Sequence, residues 1–243
     1  MTDTVNRVRV DRHRGVVVAT IDNQSKHNAA DLGIYRGLED ALHLEAPGYV
    51  ITGAGGDFSA GDDVAIFDFA DEAAADDFVV EVTRIFQIIE GLPRPVVAAV
   101  DGYALGFGFE LALACDVIVA TPGAVCGLPE ITHGAAPPNA MTRAPDVLGR
   151  GLVRHLALSG RHWLSGAQAH DFGMVCELCA APDLVDTAAG LVIDMAGNPG
   201  FQNAKRLINL EAEAGYRLAP MIMPRLMASS AVAASQKRFA GRG

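Results

Sequence analysis

Residues 101–116, DGYALGFGFELALACD, decide how the rest of the chain is read. Glycines stand at 102, 106 and 108, and the run Phe109-Glu110-Leu111-Ala112-Leu113-Ala114 is apolar except for one glutamate. A strand (PVVAAV) precedes the glycines and another (DVIVAT) follows the helix. Strand, glycines and helix are the parts of a dinucleotide loop, but the match is poor. Gly106-x-Gly108-x-x-Leu111 lacks the third glycine. The helix has only about eight residues, where a nucleotide-binding βαβ unit needs a dozen or so. No acidic residue ends the next strand, and there is no Gly-Lys-Ser/Thr phosphate loop.

Geometry suggests another use. Glycines just before a helix leave backbone N–H groups free at its N-terminus, and those donors with the helix dipole can hold developing negative charge. Glu110 falls in the first turn, where alone it could equally just complement the dipole. A second glycine-rich segment, ITGAGGDFSAGDDV (51–64), again follows a buried strand and supplies backbone donors. A third segment, GLPEITHG (127–134), carries Glu130 behind a proline among apolar neighbours; alone it reads as readily as a surface loop residue. Two carboxylates in apolar loops with two donor loops make a general acid/base site facing an oxyanion hole.

The flanking sequence alternates strands and helices through its first half, which argues an α/β fold. VRVDRHRGVVVATID reads as two strands turned at Arg14-Gly15, ADLGIYRGLEDALHLE as an amphipathic helix, and DEAAADDFVVEVTRIFQIIEGL as a second helix with Phe78, Val82, Ile85, Phe86 and Ile89 on one side. GMVCELCAAP reads as a strand, so its CxxC spacing is not read as a zinc or redox site, and the four cysteines are expected to be free thiols. Beyond about residue 145 the pattern is mostly helical, and the Met-, Ala- and Leu-rich tail suits packing on a partner subunit. The 243 residues divide into a core over 1–195 and a helical oligomerisation segment over 196–243. A net charge of −10 argues against a nucleic-acid partner. No apolar run reaches the roughly 20 residues of a membrane span, and the polar N-terminus lacks a signal peptide's apolar core, so a cytoplasmic protein without a membrane partner is expected.

The segments DFSAGDDV, RPVVAAVDGYALGFGFELALACDVIVAT, GLPEITHG, LALSGRHWLSGAQAHDFGMV and NAKRLIN together resemble the enoyl-CoA hydratase/isomerase (crotonase) superfamily, in its order and spacing. The resemblance implies a crotonase-like spiral of ββα units with a helical C-terminal region, assembled as a homotrimer or as a hexamer of paired trimers. It implies an acyl-CoA thioester substrate, with coenzyme A as part of that substrate, no other cofactor and no metal. It implies an oxyanion hole from the backbone N–H groups of Asp62 and Phe107, and catalytic carboxylates at Glu110 and Glu130, which keep the family's spacing. It places coenzyme A or substrate near Lys26 or His27, Ala29, Ala60, Asp63, Val64, Tyr103, Pro129, His133 and Pro138. The expected reaction is reversible syn hydration of a 2-enoyl-CoA, because both carboxylates are kept. The alternatives are isomerisation, C–C cleavage or decarboxylation on the same enolate, or a non-catalytic acyl-CoA-binding homologue.

The chain departs from the hydratase pattern at four positions. Phe107 and Phe109 replace small residues and are expected to reshape the acyl pocket. Asp62 stands where alanine is frequent, and its carboxylate beside an oxyanion is unfavourable unless turned away. Pro138 falls where a glycine usually offers an N–H near the catalytic water, and proline has none; Asn139 and His133 are the residues placed to compensate.

Overall fold

A computed structural model describes residues 7–67 and 72–209 of the chain. The main sheet forms from the apolar runs marked in the sequence: β1 (Val8–His13), β2 (Val16–Ile21), β3 (Tyr49–Gly53), β4 (Val96–Val100), β6 (Val117–Ala120) and β9 (Glu177–Leu178), hydrogen-bonded in that order. β1 and β2 are antiparallel, turned at Arg14 and Gly15, both at positive φ; every other pairing is parallel.

The central strands are buried on both faces, as a covered parallel sheet requires. Alternate residues enter two different cores. Val17, Ala19, Ile21, Tyr49, Ile51, Ala98 and Ile118 face α1 (Leu32–Leu42), α2 (Glu72–Gly91) and α3 (Phe107–Ala114). Val16, Val18, Val50, Val97, Ala99 and Val119 face α7 (Leu184–Ala196) through its Leu184, Ala188, Ala189 and Val192. Asp31 caps α1 by accepting the Ile34 N–H at 3.1 Å.

A second sheet was not legible in the sequence. β5 (Tyr103–Leu105), β7 (Val125–Gly127) and β8 (Trp163–Ser165) pair in that order. Each has three residues, too few to show a period of two. The CxxC strand is also shorter than expected: only Glu177–Leu178 forms β9, and all four cysteines are free thiols. The helical stretch after residue 137 breaks into α4 (Pro138–Leu148) and α5 (Arg150–Ser159) at Gly149, whose φ of +75° favours glycine. α6 (Gly166–Asp171) is closed by a capping box between Ser165 and Gln168.

α8 (Phe201–Ile208) is tied to the core by Lys205, 4% exposed, whose Nζ donates to Asp116 Oδ2 at 2.8 Å and to the Arg94 carbonyl at 3.2 Å. The rest of the expected C-terminal helical segment, from residue 210, lies outside the described residues. No helix among the described residues is long and apolar enough to cross a membrane.

Candidate active site

The two glycine-rich segments lie side by side. Ser59 pairs with Ala104 in a parallel bridge: the Ser59 N–H donates to the Tyr103 carbonyl at 2.7 Å, and the Leu105 N–H to the Ser59 carbonyl at 2.9 Å. Three residues further along each segment come Asp62 and Phe107. Between them Gly61 (φ +109°) and Gly106 (φ +55°) touch; a Cβ built on Gly61 would lie 3.2 Å from the Leu105 carbonyl oxygen. Neighbouring N–H groups are committed, those of Ala60 to His27, Asp63 to Ala30 and Gly106 to Gly127. The N–H groups of Asp62 and Phe107 have no acceptor among the described residues. Phe107 opens α3, where the first N–H groups have no intrahelical partner. Two free donors on adjoining loops can share one developing oxyanion.

Both residues line a cavity of about 330 Å³. Glu110, one turn into α3, is 6% exposed and lines it too. The Ala140 N–H donates to Glu110 Oε1 at 2.8 Å, from the first turn of α4. Burial raises the Glu110 pKa to about 7; the Ala140 N–H and Arg143 pull it down, and Asp62 pushes it up.

Glu130 sits in a 3-10 turn, Glu130–His133, between β7 and α4. Both its carboxylate oxygens are buried with no hydrogen-bond partner. A Cβ on Gly106 would lie 3.2 Å from Glu130 Oε1, so this carboxylate packs on the glycine that precedes the Phe107 N–H. Burial, then the charges of Glu110 and Asp62, hold its pKa well above the ordinary carboxylate range. The cavity thus holds a carboxyl that favours its proton and a second, hydrogen-bonded one that releases it more readily.

Pro138 bears on the expected loss of a donor. It is the first residue of α4, where the N–H has no intrahelical use, and Ala140 in the same first turn donates its N–H to Glu110. The Asp62 carboxylate is turned to Tyr35, whose hydroxyl donates to Asp62 Oδ1. Of the two phenylalanines, Phe107 lines the cavity, with its ring packed on Tyr35 and Phe86 at centroid distances of 4.8 and 5.8 Å. Phe109 does not line it; its side chain is wholly buried in the core, so it shapes the pocket only through packing.

Lys26, Ala29, Ala60, Asp63, Val64, Pro129, His133 and Pro138 also line the cavity. Lys26 Nζ is 2.5 Å from Asp63 Oδ2, with the lysine side chain half exposed. His27 and Tyr103 are not in the lining. His27 meets Asp57 at 2.7 Å, and Tyr103 stacks edge-on against His27 and Trp163. Sequence reasoning missed the wall of Phe67, Phe78, Val79, Val82 and Thr83, apolar but for Thr83. Phe78 and Val82 were visible at helical spacing, but a wall and a core contact share that period. Asn139, one of the two residues placed to compensate for Pro138, also lines the cavity; it is 2% exposed and its Oδ1 has no partner.

The sequence model of the enoyl-CoA hydratase/isomerase family matches residues 11–223. The chain is 31% identical over 216 residues to the 2,3-dehydroadipyl-CoA hydratase of Escherichia coli, covering 84% of this chain and 82% of that protein. It is 41% identical over 138 residues to the human mitochondrial enoyl-CoA hydratase domain-containing protein 2, covering 56% of this chain. The chain spans about half the length of several such relatives, 47% of the human protein and 55% of a Bacillus subtilis enoyl-CoA hydratase/isomerase. Among solved structures, an enoyl-CoA hydratase from Mycobacterium avium subsp. paratuberculosis superposes with a TM-score of 0.83 at 26% identity, covering 97% of this chain and 96% of the other. An enoyl-CoA hydratase/isomerase from Xanthobacter autotrophicus gives 0.86 at 26% identity, covering 97% and 93%.

Proposed function

The chain belongs to the enoyl-CoA hydratase/isomerase family and has the crotonase fold, and from that premise we propose that it hydrates a 2-enoyl-CoA thioester. The observation that carries this reading is the pair of buried carboxyls, Glu110 and Glu130, unlike in environment and lining one cavity with two free N–H groups.

The thioester oxygen accepts from the Asp62 and Phe107 N–H groups. Glu110 takes a proton from water as the water oxygen bonds to Cβ. The π electrons move onto the thioester, and the enolate charge rests between the two donors. Protonated Glu130 then delivers its proton to Cα, and the electron pair returns to re-form the thioester carbonyl. Proton return from Glu110 to Glu130 restores the site, so one water is added per turnover. Burial favours one shared proton, since two carboxylates charged together in a low-dielectric cavity repel. Glu130, with no donor from another residue, keeps the proton; Glu110, facing the Ala140 N–H, gives it up.

The apolar wall of Phe78, Val79 and Val82 suits an acyl chain, and half-exposed Lys26 suits a phosphate of coenzyme A. Coenzyme A enters as part of the substrate, and no separate cofactor or metal takes part in this scheme. Assembly as a trimer or paired trimers belongs to the same reading and is checked by sedimentation. The test is crotonyl-CoA: its conjugated absorbance should fall with wild-type protein and fall at least 100-fold more slowly with Glu130→Gln. No turnover by a protein that still binds CoA esters would sink the hydratase reading and leave isomerisation, cleavage or decarboxylation to product analysis.

A further inference from the structure

Tyr35 touches both residues that supply the free N–H groups. It lies in the first turn of α1 and is 2% exposed. Its hydroxyl donates to Asp62 Oδ1, and its ring meets the Phe107 ring edge-on at 4.8 Å. No other side chain among the described residues has a hydrogen bond to one and a ring contact with the other. Asp62 is also the residue whose side chain threatens the site. An ionised carboxylate one residue from a developing oxyanion opposes it, and a carboxylate without a donor takes the nearest free one. The nearest free donors here are the N–H groups meant for the substrate. The ionisable groups facing this pair are Glu110 from α3, Glu130 from the 3-10 turn, Asp31 at the cap of α1 and Asp63 beside Asp62, all acidic, so none of them brings the carboxylate a positive charge.

We propose that Tyr35 is a positioning residue of the oxyanion hole, its hydroxyl holding the Asp62 carboxylate away from the substrate oxygen while its ring braces Phe107. This rests on the acyl-CoA reading above. Burial raises the Asp62 pKa to about 6 and the Tyr35 hydroxyl opposes that rise, as expected for a hydroxyl that serves the charged form.

The test is a cycle of Tyr35→Phe and Asp62→Ala, read in two ways. Tyr35→Phe keeps the ring and removes only the hydroxyl. The first readout is kcat and KM with crotonyl-CoA. The second is the enolate absorbance of bound acetoacetyl-CoA, which reports polarisation of the thioester without turnover. Tyr35→Phe should lower kcat about 10- to 50-fold, with KM changed less than threefold, and should cut the enolate absorbance at saturation by threefold or more. In the Asp62→Ala background the same Tyr35→Phe change should have less than a twofold effect on either readout, because the carboxylate it restrains is gone. An equal loss in both backgrounds means that Tyr35 acts only on packing, and no loss in the wild-type background means that it does not position the hole; either result overturns the proposal. A wild-type protein that ionises acetoacetyl-CoA but does not hydrate crotonyl-CoA fails the hydratase reading alone, and the absorbance arm still decides the role of Tyr35. A protein that binds neither ester overturns both.

Discussion

The two carboxyl-bearing segments are built differently. Glu110 lies within a regular helix and faces the N-terminal turn of another, whose Ala140 N–H it accepts. Glu130 lies in a short 3-10 turn and has no partner for either oxygen, its carboxylate resting on the bare Cα of Gly106. Both are buried, so burial alone cannot assign their roles. The donors differ: Glu110 accepts an N–H from a second helix, Glu130 none from any other residue, and an N–H favours the charged form. One carboxyl is prepared to take a proton and the other to give one.

The largest effect that could break this comparison is chemical. Glu110→Gln and Glu130→Gln should each lower hydration about 10²- to 10⁴-fold. They should part in a second assay. Exchange of the Cα protons of a saturated acyl-CoA with deuterated water should persist in Glu110→Gln and vanish in Glu130→Gln. The reverse pattern would exchange the two roles.

A smaller effect should come from Gly106→Ala. A methyl there would lie 3.2 Å from Glu130 Oε1 at a φ of +55°, which L side chains rarely adopt. Activity should fall about 10- to 100-fold while the circular dichroism spectrum stays native, since a displacement near 1 Å in a catalytic geometry costs on that order. Unchanged kinetics would show that Glu130 does not act from this position.

The smallest effects are on pH dependence. With its folded pKa near 7 and an ordinary value near 4.5, Glu110 binds more protons in the folded than in the unfolded state between those pH values. Its contribution therefore favours folding most at low pH and is lost as pH rises from about 4.5 to 7. Glu110→Gln should gain stability relative to wild type over that window, by up to about 3 kcal/mol, measured by chemical denaturation at pH 5 and pH 8. For kcat/KM, the acid limb should lie near pH 7, and Asp62→Asn should move it lower, because a like charge that raises the Glu110 pKa is removed. A limb that stays in place would uncouple Asp62 from the pair.

Much of this was legible from spacing. The apolar runs of β2, β3, β4 and β6 and the short helix after the glycines gave the α/β core, because a doubly covered strand is apolar throughout. Glu110 and Glu130 stood out as carboxylates among apolar neighbours, Asp62 and Phe107 came from the family resemblance, and all four line the cavity. His27 and Tyr103, named from the resemblance, lie outside the cavity lining, and a position beside a loop does not say which way a side chain turns. Pro138 does lack an N–H; what the sequence did not show is that it opens α4, where a helix tolerates a proline and Ala140 two residues on donates to Glu110. The sequence reading could not foresee Tyr35 because tertiary packing alone, not spacing, brings the first turn of α1 to two loops far away in the chain.

The Ser59–Ala104 bridge has a consequence for how this protein can change. It fixes the spacing of the two loops through main-chain bonds that any residue but proline can supply. On the hydratase reading the two N–H donors are therefore supplied by any residue but proline at 62 and 107, while the side chains there line the cavity and pack on Tyr35. On the hydratase reading, substitutions at these positions would change the cavity wall while both N–H donors stay in place. A library confined to residues 62, 67, 78, 82 and 107 is accordingly the economical place to seek variants that accept new acyl groups.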